Sequence, residues 1–267
     1  MRSDVTFLVC SCDKYEDAWH PFFELLHIYG VPTDYPMVLN TETKSYASEH
    51  FDIRVINTPG RTTWSQRLRS VLGQIDTEFV FLLLEDFFLQ APFRFDLFET
   101  VVQYMRDNTD VGVLHTTPTG KIPNLPEEMF FPRNFSENNI TVTAVLWRKS
   151  YLLKLLRDHE DIWEFEWYSG IRARRYPEKV MQYNERFPVI FDYRVVISEG
   201  YGLTGGKWLP KNRELFEQHG ITVNFDRLGW YVPPAERPRQ SRWTPAALVR
   251  RLRNRLRYEL RRRKSLK

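Results

Sequence analysis

Hydrophobic positions in the first half of the chain fall alternately into short runs and helical stripes. Val5–Val9 is a run of β-formers, and Asp17–Tyr29 sets Trp19, Phe22, Phe23, Leu26 and Ile28 at helical spacing. Met37–Asn40 and Asp52–Asn57 read as two short strands bounded by polar residues or proline. Thr63–Ile75 predicts a helix capped by Thr62 or Thr63 and ending near Gly73. Phe79–Leu84 is apolar throughout, the pattern of a strand covered on both faces. A helix over Phe95–Asn108 and a strand over Gly112–His115 follow. This alternation predicts an α/β fold with a mostly parallel central sheet.

The second half is less regular. Lys121–Asn139 is rich in Pro, Asn and Glu and reads as an excursion loop. Thr141–Trp147 predicts a strand and Ser150–Arg157 a helix, after which the pattern weakens past Trp163. Val189–Ile197 reads as a strand, Gly200–Gly206 as a flexible stretch, and Lys211–Gln218 as a helix closing at Gly220. Three prolines in Pro233–Arg239 mark a linker, so the expected division is a globular domain over 1–235 and a tail over 236–267.

Charge sharpens that division. The net charge of +4 hides a tail, Arg237–Lys267, with 13 Lys or Arg against the single acid Glu259. The other 236 residues carry 25 basic and 33 acidic side chains, a balance of −8. Within residues 242–264, Leu248, Leu252, Leu256 and Leu260 recur every four residues among arginines, predicting a basic amphipathic helix. Such a helix fits an anionic membrane surface. A solvated basic tail or a nucleic-acid arm is the rival, but the acidic body and the lack of a nucleic-acid motif favour the membrane, and no nucleic acid is expected.

An aromatic content of 15%, with eight Trp, excludes a disordered chain and provides platforms for rings or sugars. No apolar run approaches the ~18 residues of a membrane span. The opening residues pass almost directly into a strand, without a charged-then-apolar leader, and Cys10 and Cys12 lie too close in sequence to pair. A cytoplasmic location, peripheral at the inner face of the cell membrane, is the expectation.

Three predicted strands end in polar groups on the edge where open α/β sheets bind ligands: Ser11 and Asp13, Asn40 and Glu42, Glu85 and Asp86. Hard cations take such carboxylates, Mg²⁺ through one or two of them plus substrate phosphates. As neighbours in extended chain, Glu85 and Asp86 point to opposite faces unless the backbone turns there. Arg67 and Arg69 lie in the preceding helix, where a guanidinium could meet a diphosphate. Trp163–Trp167 sets Glu164 and Glu166 among three rings, an apolar setting that raises a carboxylate pKa toward acid–base work. Gly205–Gly206–Lys207 is a flexible loop with a cation that could close over phosphates.

Together, VTFLVCSCDKYEDAW, WSQRLRSVL at Trp64–Leu72, FLLLEDFFL and the block from Val145 to Arg174 resemble a GT-A-type glycosyltransferase, in particular the family-2-like bacterial enzymes of surface-polysaccharide synthesis. The resemblance spans roughly residues 4–230. It implies a nucleotide-sugar half over about 1–120 and an acceptor half over 121–235. It also implies Asp86 as ligand of Mg²⁺ or Mn²⁺, and Ser11, Asp13, Glu42, Arg67, Glu85 and Lys207 around the donor. Glu166 would be the general base, with Glu164 as rival, and Trp163 and Trp167 would stack on a saccharide or lipid-linked saccharide acceptor. The implied reaction is an inverting, metal-dependent sugar transfer. The sequence departs from the family in lacking the second, spaced Asp of a DxD motif and in carrying Glu-Phe-Glu at 164–166. A nucleotidyltransferase of similar fold is disfavoured, because no Gly-rich loop with Arg and Lys follows the first strand. A metal-independent glycoside hydrolase using Glu85 and Glu166, and a non-catalytic carbohydrate-binding or membrane scaffold, stand as the alternatives.

Overall fold

A computed structural model describes residues 4–61, 63–117, 125–133, 140–142, 144–193, 202–233 and 258–259. The expected fold class, an α/β fold with a mostly parallel central sheet, is the one observed. Eight strands form the main sheet: β1 (Val5–Cys10), β2 (Met37–Thr41), β3 (Ile53–Asn57), β4 (Phe79–Leu84), β5 (Val111–His115), β6 (Phe130–Pro132), β7 (Val145–Arg148) and β8 (Lys179–Tyr183). Their order is β3-β2-β1-β4-β7-β5-β8-β6. β1 to β4 are parallel neighbours, while β7 lies antiparallel between β4 and β5, and β6 antiparallel to β8.

Alternating side chains of the central strands feed two cores, as a period of two dictates. Phe7, Val9, Phe79, Phe81 and Leu83 face α1 (Trp19–Ile28) and α3 (Phe95–Asp107). Leu8, Cys10, Val80 and Leu82 face α2 (Trp64–Leu72), α4 (Lys149–Leu155) and α5 (Ile162–Ala173). This is why β4 shows no polar alternation: both of its faces are covered. α2 begins as expected, with the Thr63 hydroxyl accepting from Gln66 N at 3.2 Å, and Gly73 is its C-cap. Gly112 is required by packing, since a Cβ there would stand 2.3 Å from the Tyr151 ring of α4.

Several expectations need correction. Ile28 is 41% exposed, and Leu25 is buried on α1; residue 28 falls well off the stripe drawn by Trp19, Phe22, Phe23 and Leu26. A 3₁₀ turn, Asp13–Ala18, precedes α1 and takes up its expected first residues. The loop expected over 121–139 contains β6, and the strand expected from Thr141 begins at Val145, after Ala144 at φ 47°. Residues 189–193 are not strand, and the remainder of that expectation lies outside the described residues. α5 replaces the weak pattern past Trp163. Of the tail, only 258–259 are described, as helix; the rest of the predicted helix over 242–264 lies outside the described residues. No helix among the described residues is long and apolar enough to cross a membrane.

Candidate active site

Parallel pairing brings the C-terminal ends of β1, β2 and β4 to one edge. The Ser11 N–H donates to Asn40 O at 3.0 Å, and Asn40 Nδ2 donates to Ile56 O at 2.9 Å, which holds β1, β2 and β3 in step. Asp13 ties the loops after β1 and β2 together: its carboxylate accepts from the backbone N–H groups of Glu42 (3.1 Å), Thr43 (3.1 Å) and Lys44 (3.2 Å) and from the Thr43 hydroxyl. Burial acts to raise the Asp13 pKa, but these donors outweigh it and hold the carboxyl below its ordinary value. Glu42 answers by accepting from Asp13 N and pairs with Arg67 of α2. The structure therefore uses Asp13 and Glu42 to shape the edge, and a ligand reaching Asp13 must share acceptors already taken.

After Leu84 the backbone turns, with Phe87 N donating to Leu84 O at 3.2 Å. The turn overcomes the opposite-faces problem: Glu85 and Asp86 both line one cleft of about 620 Å³. Glu85 is buried, and burial, reinforced by the neighbouring Asp86 charge, raises its pKa well above the ordinary value; Arg67 and a hydrogen bond from Ser11 act in the opposite sense. Burial pushes Asp86 up to about 7, against a backbone hydrogen bond from Leu203.

That hydrogen bond comes from a short hairpin, β9 (Leu203–Thr204) and β10 (Lys207–Trp208). Gly202 N also donates to Asp86 O at 3.0 Å, and the approach is so close that a Cβ on Gly202 would lie 2.6 Å from that oxygen and 2.4 Å from the Phe88 ring. Gly205 and Gly206 form the two-residue turn at φ 60° and 78°, the positive values of a type I′ hairpin. Trp208 is fully buried and anchors the hairpin against Phe88, Phe216 of α6 (Lys211–Gln218) and Phe225. Gly205 and Gly206 line the cleft, whereas Lys207 is exposed outside its lining. The cation at this lip is Lys14, whose Nζ is 2.5 Å from where a Gly206 Cβ would be.

A further part of the lining comes from α5. Asp161 caps it through a reciprocal box, Glu164 N donating to Asp161 Oδ1 at 2.8 Å and Asp161 N to Glu164 Oε2 at 3.2 Å. Glu164 is thus engaged at the helix end and does not line the cleft. Glu166 does line it, with Oε1 accepting from Val142 N at 2.9 Å. Burial raises the Glu166 pKa above the ordinary carboxylate value, opposed by that hydrogen bond. Trp163 lines the cleft mouth, while Trp167 does not. Arg172 of α5 and Glu160, just before the helix, form a buried bidentate pair at 2.5 and 2.6 Å, and the Tyr258 hydroxyl donates to Glu160 Oε1 at 3.0 Å.

The cleft thus collects Ser11, Arg67, Glu85, Asp86, Trp163 and Glu166, and leaves Asp13, Glu42, Glu164, Trp167 and Lys207 outside its lining. Sequence reasoning missed Tyr15, Val142 and Lys14. Tyr15 and Lys14 stand just past the β1 end that drew attention to Asp13, but Val142 acts through its backbone N–H, which no side-chain pattern reveals. Among the described residues no group of three or more His, Cys, Asp or Glu side chains could hold a metal ion by itself.

No family model matches the chain, and no curated protein matches its sequence. Solved structures do align. S. aureus TarS 1-349 matches with a TM-score of 0.49 and 11% identity, over 68% of this chain and 58% of that one. The same protein in complex with UDP-GlcNAc aligns at 0.48 and 9%, over 68% and 56%. A cytidylyltransferase from Leptospira borgpetersenii aligns at 0.46 and 10%, over 82% of this chain and 96% of its own. The chain therefore spans little more than half the length of the TarS chain it aligns with.

Proposed function

We propose that this protein transfers a sugar from a nucleoside-diphosphate donor to a saccharide hydroxyl, with inversion at the anomeric carbon. One observation carries the reading: the adjacent carboxylates Glu85 and Asp86 from the end of β4 and the single carboxylate Glu166 from α5 line the same cleft. The donor occupies the edge built by residues before about 120, with Ser11, Arg67 and Glu85 around the nucleotide and diphosphate. Asp13 and Glu42 hold the loops that form its floor. The acceptor enters from the α5 side and stacks on Trp163.

The donor set fits Mg²⁺ or Mn²⁺. Two adjacent carboxylates whose pKa values burial has raised are carboxylates in want of a cation, and one or two carboxylates are what such an ion takes when phosphates supply its other ligands. Asp86 would be the ligand and Glu85 its support; the ion would neutralise charge on the leaving diphosphate. Glu166 takes the proton from the attacking hydroxyl, whose oxygen forms the new bond to the anomeric carbon. The bond from that carbon to the phosphate oxygen breaks, and its electron pair leaves with the nucleoside diphosphate. The raised Glu166 pKa suits a base that must accept a proton and release it after turnover. The acceptor is a saccharide, lipid-linked in keeping with the basic tail, and the work is placed at the cytoplasmic face of a membrane in surface-polysaccharide synthesis.

Calorimetric titration with UDP, GDP, CMP and dTDP, with and without Mn²⁺, tests this. Metal-dependent binding of one nucleotide, abolished in Asp86→Asn, is the expected result. Absence of binding by every nucleotide at millimolar concentration overturns the transferase reading.

A further inference from the structure

Trp163, Trp167 and Ile171 stand four residues apart on α5 and are 67%, 37% and 42% exposed. Such spacing stacks them into one ridge. They are three of the five large hydrophobic side chains exposed among the described residues, so the patch is concentrated on one helix. Arg174 and Arg175 follow at its end, both exposed.

Two further observations bear on what meets this ridge. It is continuous with the cleft, because Trp163 belongs to both. It also shares its helix with the contacts of Tyr258: the Tyr258 ring stacks on Tyr168 of α5 at 3.9 Å and 27°, close to His159, while its hydroxyl reaches Glu160. Tyr258, which lies within a sequence segment carrying 13 Lys or Arg, thereby meets the helix that bears the exposed indoles.

We propose that the Trp163–Trp167–Ile171 ridge of α5 is a docking surface for an anionic lipid bilayer, so that the mouth of the cleft opens at headgroup level. The inference rests on the transferase reading and specifies where its lipid-linked acceptor is presented. Indole rings favour the interface between hydrocarbon and water, and arginines beside them meet lipid phosphates. A bilayer fits better than a second copy of the chain. The ridge offers roughly 300 Å², well under the ~800 Å² per partner of a stable protein interface.

The test uses the full chain and sedimentation with vesicles of phosphatidylcholine, alone or with phosphatidylglycerol. Wild type is expected to partition onto the anionic vesicles. Ile171→Glu, which touches neither cleft nor core, is expected to weaken that partition at least about fivefold, with nucleotide binding unchanged. Equal partition of Ile171→Glu and wild type would overturn the inference, assigning binding to the tail alone. So would wild type that ignores anionic vesicles, or that forms a concentration-dependent dimer instead. If vesicles are ignored while a nucleotide still binds, the docking surface falls and the transferase reading stands. Binding of anionic vesicles without binding of any nucleotide brings down the transferase reading.

Discussion

The turn after β4 and the first turns of α5 both set carboxylates among aromatic rings, yet they are held in different ways. Glu85 and Asp86 are fixed by backbone: parallel strands on one side, and N–H groups of Gly202 and Leu203 on the other. Glu166 is held at its carboxylate by the Val142 N–H, on a helix whose own Arg172 ties it to the buried Glu160 and which carries a capping box. A wall built from backbone is difficult to move by substitution. A helix tied by one ion pair can be loosened through that pair, and the two parts of the cleft should therefore fail separately.

The sharpest division comes from Glu166→Gln. Turnover is expected to fall by about 10²–10⁴ while the nucleotide dissociation constant stays the same, measured by steady-state kinetics and calorimetry. A base at Glu166 would work ionised, and burial holds this carboxyl above its ordinary value. Turnover should accordingly fall as pH drops through that raised value, placing the acid limb of kcat/KM above the ordinary carboxylate range. An acid limb at or below that range would remove Glu166 from the role.

Glu160→Ala leaves Arg172 buried without its partner and is expected to cost about 3–5 kcal/mol in guanidinium unfolding. Replacing both, as Glu160→Leu with Arg172→Met, should cost less than Glu160→Ala alone, because no charge is then left stranded. Equal or greater loss in the double variant would show that α5 depends on the pair for more than charge balance. At the β4 end, Gly202→Val drives a side chain into Phe88 and the Asp86 carbonyl, with an expected loss of about 1–3 kcal/mol and weaker nucleotide binding. Unchanged nucleotide affinity would mean that the hairpin does not shape the donor side. The smallest effect belongs to Glu164→Ala, which removes one capping hydrogen bond, about 0.5–1.5 kcal/mol. Turnover lost as severely as in Glu166→Gln would return Glu164 to the role of base.

The same contrast explains what the sequence could reveal. β4 announces itself because burial on both faces writes an unbroken apolar run that stops abruptly at two acids. α5 does not, because its solvent side is itself apolar: Trp163, Trp167 and Ile171 erase the polar stripe on which a helical period depends. The signal that could have found it is local, since Asp161 followed by Glu164 three residues on is a capping box. The convergence of Glu85 and Asp86 depended on a turn that their own residue types do not dictate. Lys207 was placed by its glycines, but the I′ hairpin aims the glycines at the cleft and leaves the lysine on the outside.

Tyr258 changes how this chain should be cut. The proline-rich stretch before the tail is the obvious place to trim a shorter, less basic protein for crystals or assays. Trimming there removes the phenol that stacks on Tyr168 and hydrogen-bonds Glu160, and exposes a fully buried carboxylate at the foot of α5. Losses measured on such a fragment would register a loosened α5 as well as a missing charge, and only a full-length comparison with Tyr258→Phe can separate the two.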